Sequence, residues 1–325
     1  MNKARCVNEE GWVDSNEIKK NGSSNHTMDC SYRRFCLSLL FLLIYIIGQF
    51  TPSLNVLIIK RFFEWKPFAS PANIETIKKQ VHVVKDVVYD KHGKENNLLD
   101  IYYPKHTGKD LPVIMWIHGG GFVSGNKEQT QEYGMALANE GYVVANINYA
   151  LAPGRKYPGP VIQANQALKY LQDHIAEYGG DMNRLFIGGD SAGAHIASQT
   201  AAVITNGNLA KSMGIEPSVD KKQLKGALLY CGLYNMDRMT RPQSSFILRL
   251  GVNSVFWSYT GVKEFATFSR LDEMSTVNHV TPDYPPVFSI NSTSLLPMPK
   301  KHWGERLNFR ESIADDKRAV PPLSK

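Results

Sequence analysis

"RLFIGGDSAGAHIAS", residues 184–198, sets an apolar run against a serine between two glycines, and a small-residue helical pattern follows at once. Gly189, Asp190, Ser191, Ala192 and Gly193 form a G-x-S-x-G at a strand-to-helix junction. A sharp turn there needs unusual backbone angles and close packing, so small residues must flank the serine. The arrangement holds a hydroxyl out at the sheet's edge, over the positive end of the next helix. A glycine-rich structural turn is the bland alternative for this motif alone.

Working outward, the chain alternates strand and helix. "VHVVKDVVY" (81–89) and "NNLLDIYYP" (96–104) read as a hairpin, and "LPVIMWIHGGGF" (111–122) as a strand buried on both faces and ending in glycines. "EYGMALANEG" (132–141) is a helix stopped by Gly141, and "YVVANINYALAP" (142–153) is the next strand. "PVIQANQALKYLQDHIAEYGG" (160–180) is a long helix opened by prolines and closed by glycine. "LKGALLYCGLY" (224–234) and "PPVFSIN" (285–291) supply two further strands. Residues 238–274, rich in aromatics ("FILRLGVNSVFWSYTG"), read as a helical cap or lid-like insertion. This order predicts an α/β domain over 75–310, with a mostly parallel sheet and helices on both faces.

The second glycine cluster, His118-Gly119-Gly120-Gly121-Phe122, ends the 111–117 strand. Three successive glycines let the backbone turn N–H groups toward a developing oxyanion. The Gly120 and Gly121 amides with that of Ala192 are a complete candidate set. A phosphate loop is the rival, but G-x-x-x-x-G-K-[ST] is absent. His118 is expected to stiffen the loop, and Asp190 to brace the serine's turn.

HGGGF and GDSAGAH, with "NYALAPGRKYPGP" (148–160) between them, resemble the hormone-sensitive-lipase-like and feruloyl-esterase-like (BD-FAE-like) carboxylesterase branch of the α/β-hydrolases. That middle segment usually runs Y-R-L-A-P-E-x-x-[FY]-P. Tyr149, Leu151, Ala152, Pro153, Tyr157 and Pro158 match, whereas Ala150 and Gly154 replace the Arg and Glu. The resemblance covers residues 80 to 288. It implies a carboxylesterase or lipase in which Ser191 forms an acyl-enzyme on a small-molecule ester, with no metal and no organic cofactor.

The pattern then stops. The family's acid stands in a G-x-x-D-P-L phrase after the paired-proline strand. Here "PPVFSINSTSLLPMPKKHWGERL" sets Asn291 at the glycine and Ser294 at the aspartate. Serine cannot carry the charge that steadies a histidinium. Acid and base are therefore unassigned. Asp237, after the 224–234 strand, is the candidate acid, and His195, His279 and His302 are the later histidines, none at a family position. The expectation is a relative truncated or frameshifted after about Phe288, lacking its last strand and helix, with an irregular tail over 308–325. The alternatives are an inactive binding or scaffold protein on the same fold, and an amidase or peptidase.

Residues 35–50, "FCLSLLFLLIYIIGQF", carry no charge, and the neutral "TPSLNVLII" extends them. A bilayer core needs about 20 apolar residues. One transmembrane anchor over 34–59 is expected, with residues 1–33 a disordered tail. The basic residues before it favour a cytoplasmic N-terminus and a hydrolase domain outside the cytoplasm. A buried core helix and a cleaved signal peptide are the rivals. The net charge of +7 is spread along the chain with no nucleic-acid-binding module, and Cys6, Cys30, Cys36 and Cys231 lack metal-ligand spacing.

Overall fold

The computed structural model describes residues 24–64, 70–91, 97–106, 108–240 and 246–290. Residues 1–23 of the tail expected over 1–33, the aligned Asn291 and Ser294, His302 and the 308–325 tail all lie outside the described residues. The chain divides into two units, Met1–Leu54 and Asn55–Lys325.

In the first unit, α1 runs from Ser24 to Phe50. It begins before residue 34, so residues 24–33, expected to be disordered, are helical: nothing from Ser24 to Arg34 is a proline or glycine that would break the pattern. Within it, Arg33–Phe50 has a mean hydropathy of 1.6 and is 6% buried, so it is long and apolar enough to cross a membrane. The single spanning helix expected over 34–59, with a kink allowed at Pro52, is two helices. α1 ends at Phe50 and α2 starts at Ser53. Pro52 has no N–H to donate, and its ring disfavours helical geometry at Thr51.

The second unit is built on a seven-stranded sheet in the order β1-β2-β4-β3-β5-β6-β7. The strands are β1 Val81–Val88, β2 Leu98–Pro104, β3 Leu111–Ile117, β4 Val143–Ile147, β5 Gly180–Asp190, β6 Leu224–Tyr230 and β7 Val287–Ile290. β1 and β2 form the expected hairpin, β2 pairs antiparallel with β4, and every other pairing is parallel. The helices are α2 (Ser53–Glu64) from Asn55 on, α3 Ile74–Gln80, α4 Gln131–Asn139, α5 Gly159–His174, α6 Ala192–Thr205, α7 Gly207–Met213, α8 Phe246–Thr260 and α9 Leu271–Met274.

Strand alternation divides the core between two faces. Ile114 and Val144 pack with Ile74, Ile77, Met135 and Ala138 of α3 and α4. Val113, Met115, Ile117, Ala145 and Ile187 join α5 and α6 in the larger cluster. All five residues of β4 are buried, the polar Asn146 among them. Every residue of α6 is buried too, so the helix behind Ser191 is wholly interior.

The 238–274 segment, expected as a helical cap or lid-like insertion, is helical at α8 and α9. Phe256, Tyr259, Phe265 and Met274 are buried in the main core. The aromatic content that suggested a lid is used to pack this segment inward.

Candidate active site

Ser191 sits between the end of β5 and the first residue of α6, with φ 51° and ψ −114°. Such angles cost a non-glycine residue about 1–3 kcal/mol and persist only where surroundings fix them. Here the Ser191 N–H donates to Tyr230 O at 2.7 Å, and Ser191 O accepts the His195 N–H at 3.1 Å. The side chain remains exposed, whereas Ala192 beside it is buried.

The flanking glycines explain how the serine meets the other motif. Ile117 is in register with Gly189 in the β3–β5 pairing. A Cβ on Gly193 would collide with Ile117 O and lie 2.5 Å from His118 O. A Cβ on Gly189 would strike Ile117 O as well. Only hydrogen at both positions lets the turn seat against the end of β3, where the His118–Phe122 loop begins. The Gly119 N–H then donates to Asp190 Oδ1 at 3.1 Å, tying loop to turn. A Cβ on Gly119 would collide with that carboxylate. Burial pushes the Asp190 carboxyl up to about 6, against the lowering effect of the Gly119 amide.

The loop itself carries three successive positive φ angles: 112° at Gly120, 62° at Gly121 and 64° at Phe122. Gly120 O accepts from Val123 N, Ser124 N and Ser124 Oγ at 3.2, 3.0 and 2.8 Å. With this carbonyl turned inward, the Gly120 and Gly121 N–H groups find no acceptor among the described residues. The loop amides and Ser191 are thus gathered at the same end of neighbouring strands, β3 and β5.

His118 is buried, with Nδ1 2.7 Å from Gly119 O. A carbonyl can only accept, so Nδ1 carries the proton. Its ring stacks on Tyr149 at 4.4 Å, and the Tyr149 hydroxyl donates to His118 O at 3.2 Å. Burial lowers its pKa to about 4, keeping it neutral. His118 is a brace, and the Tyr149 of the middle motif is what it braces against.

None of the other described candidates hydrogen-bonds to the Ser191 hydroxyl. His195 is fully buried, and its Nδ1–H donates to Leu233 O at 2.6 Å. His279 lies at the far end of α6, where its carbonyl accepts from Asn206 Nδ2 at 3.0 Å. A 14-residue helix spans about 21 Å, so His279 is a whole helix length from Ser191. Its Nε2 rests on Asp272 O at 2.9 Å. Asp237 is exposed in a short 3₁₀ turn, Met236–Thr240, and no imidazole among the described residues hydrogen-bonds to its carboxylate. No group of three or more metal-ligating side chains occurs among the described residues.

Residues 99–296 match the family model described as BD-FAE. The chain belongs to the BD-FAE family. Among its curated relatives is a probable carboxylic ester hydrolase, LipM, of Mycobacterium tuberculosis. It is 31% identical over 66% of this chain and 48% of its own length. The isoprenylcysteine alpha-carbonyl methylesterase ICME of Arabidopsis thaliana is 30% identical over 58% of this chain and 42% of its own. This BD-FAE chain therefore aligns with about half, or less, of the length of each. Esterase B of Lactobacillus rhamnosis superposes with a TM-score of 0.60 at 21% identity, over 76% of this chain and 74% of that one. That likeness shows the α/β-hydrolase fold.

One contributor escaped the sequence reading. Lys127 lies just beyond the glycine loop, outside every motif the sequence offers. Lys127, almost wholly buried, ion-pairs with Asp86, Asp100 and Glu128 at 2.8, 2.8 and 2.7 Å. It thereby fixes the loop's exit to the β1–β2 hairpin. A lysine after an asparagine in a polar stretch reads as exposed, because two of its three carboxylates, Asp86 and Asp100, come from a distant hairpin.

Proposed function

We propose that this BD-FAE protein is a serine carboxylic-ester hydrolase in which Ser191 is the nucleophile. The observation that carries the reading is the exposed Ser191 at φ 51°, at the N-terminus of a buried helix and tied through Asp190 to a loop whose Gly120 and Gly121 amides have no acceptor among the described residues. Ser191 Oγ attacks the ester carbonyl as a base takes its proton. The Gly120, Gly121 and Ala192 amides bind the oxyanion. Collapse expels the alcohol, and water releases the acyl group with Ser191 restored. His118, Gly119, Gly189, Asp190 and Gly193 hold these parts in place. The substrate is a small-molecule carboxylic ester, and the names of the relatives make isoprenylcysteine methyl esters one class to assay. We place the enzyme on a membrane through α1, single-pass, with the catalytic domain on the extracytoplasmic side. Alkaline carbonate extraction and protease protection test that placement.

A second reading, a binding protein on the hydrolase fold, draws on one observation: no imidazole among the described residues is positioned to take the Ser191 proton. A fluorophosphonate separates the two. Covalent labelling of wild type, mapped to Ser191 and abolished in Ser191→Ala, supports the hydrolase. Labelling no faster than for a surface serine favours the binding protein, since an unactivated hydroxyl is a weak nucleophile.

A further inference from the structure

The glycine loop holds its strained shape although one of its three positive-φ residues, Phe122, is bulky. A φ of 64° is uncommon for such a side chain, and glycine's freedom does not account for it. What surrounds the ring does. Phe122 is 1% exposed, and the Tyr259 ring lies parallel to it at 3.9 Å with an interplanar angle of 3°. The His195 imidazole meets it edge-on at 5.5 Å and 86°. Both jaws are themselves fixed. His195 Nδ1–H is held by Leu233 O, and the Tyr259 carbonyl accepts the Tyr157 N–H at 2.9 Å. The Phe122 carbonyl is pinned by the Ala152 N–H, also at 2.9 Å.

We propose that Tyr259 is a positioning residue for the oxyanion loop: its ring, stacked on Phe122 together with the edge-on His195 imidazole, clamps Phe122 and holds the Gly120–Phe122 backbone in the conformation that turns its amides out. His195 belongs to the helix that carries Ser191, so the clamp sets loop and nucleophile in one frame. Tyr259 comes from α8 and links that segment to the loop. The Tyr259 hydroxyl is buried with no hydrogen-bond partner among the described residues, so its contribution here is the ring face. The clamp deepens the proposed hydrolase and rests on it for its catalytic consequence, but its effect on the backbone stands apart.

The test uses the full chain with Tyr259→Phe and Tyr259→Leu. Hydrogen–deuterium exchange is followed in peptides covering residues 118–126, and kcat and KM on p-nitrophenyl acetate are measured beside it. Tyr259→Phe keeps the stacked face and should match wild type in every readout. Tyr259→Leu should speed exchange in 118–126 by about tenfold, the change matching a lost aromatic pair. Peptides of β3 and β5 should keep their protection, and kcat should fall by a similar factor with KM nearly unchanged. Wild-type exchange in 118–126 for Tyr259→Leu, or equal damage from Tyr259→Phe, overturns the clamp. Should Tyr259→Leu not fold, Phe122→Leu carries the same comparison, with unchanged loop exchange again overturning it. If wild type has no esterase activity, the hydrolase reading fails while the exchange result still decides the clamp.

Discussion

Replacing Gly193 by alanine perturbs the contact that brings the two motifs together. The new Cβ would lie 2.5 Å from His118 O and 2.6 Å from Ile117 C, and nearer still to Ile117 O, where Cβ contacts essentially never fall under 3.0 Å. All three are backbone atoms at the end of β3, so no side chain can swing away. The turn and the loop must part by 0.5 Å or more. Overpacking of this kind costs about 1–3 kcal/mol. Each kcal/mol lowers Tm by about 2–4 °C for a domain of this size. Catalysis should suffer more, because a misplacement of about 1 Å can cost about a hundredfold. Gly207→Ala is the control: its Cβ would meet nothing within 4 Å, at the first residue of α7. Thermal unfolding and fluorophosphonate labelling rates of both variants decide the matter. Gly193→Ala should lose several degrees and at least about tenfold in labelling, with Gly207→Ala unchanged or slightly stabilised. Equal behaviour of the two would refute the close seating of the turn on β3.

Further outcomes follow from buried charge. Lys127→Met leaves the fully buried Asp100 without its cation, and should cost about 3–5 kcal/mol in urea unfolding. A loss under about 1 kcal/mol would show that the pair is solvated. The pH dependence has two opposed parts. His118 and His195 have folded pKa values near 4 against 6.5, so the unfolded chain binds their protons first and stability falls as pH drops from 6.5 toward 4. Asp190 is raised from 3.8 to about 6, so the folded chain keeps its proton and stability rises as pH drops through that window. Asp190→Asn removes the opposing part and should steepen the loss of stability between pH 6 and 4. A slope identical to wild type in urea titrations at those pH values contradicts that assignment. Asn206→Ala removes a side chain that accepts from the Asn208 and Leu209 amides, and should cost about 1 kcal/mol by the same assay.

Much of the architecture was written in local pattern. The run "PVIMWI" is apolar throughout, and "VVANI" is apolar but for Asn146, because both faces of β3 and β4 are covered. Ser191 and its glycines were legible because a strand-to-helix turn restricts residue size, a purely local demand. The start of α1 at Ser24 was not, since a polar helical stretch carries no periodic signal. The interruption at Pro52 was visible as a breaker, yet the apolar run across it suggested continuity. The inward packing of 238–274 was hidden for a different reason: an aromatic-rich helix looks the same whether it covers a site or fills a core. Contacts between Phe122 and Tyr259, or between Lys127 and Asp100, join residues from distant parts of the chain, and only the fold decides which ones meet.

The most direct measurement is a crystal structure of the full chain after reaction with a phosphonate ester. The account predicts a phosphorus–oxygen bond at Ser191 Oγ and a phosphonyl oxygen about 2.7–3.1 Å from the Gly120, Gly121 and Ala192 nitrogens. An adduct whose oxygen points away from the glycine loop, or a protein that reacts at some other residue and leaves Ser191 bare, would contradict it.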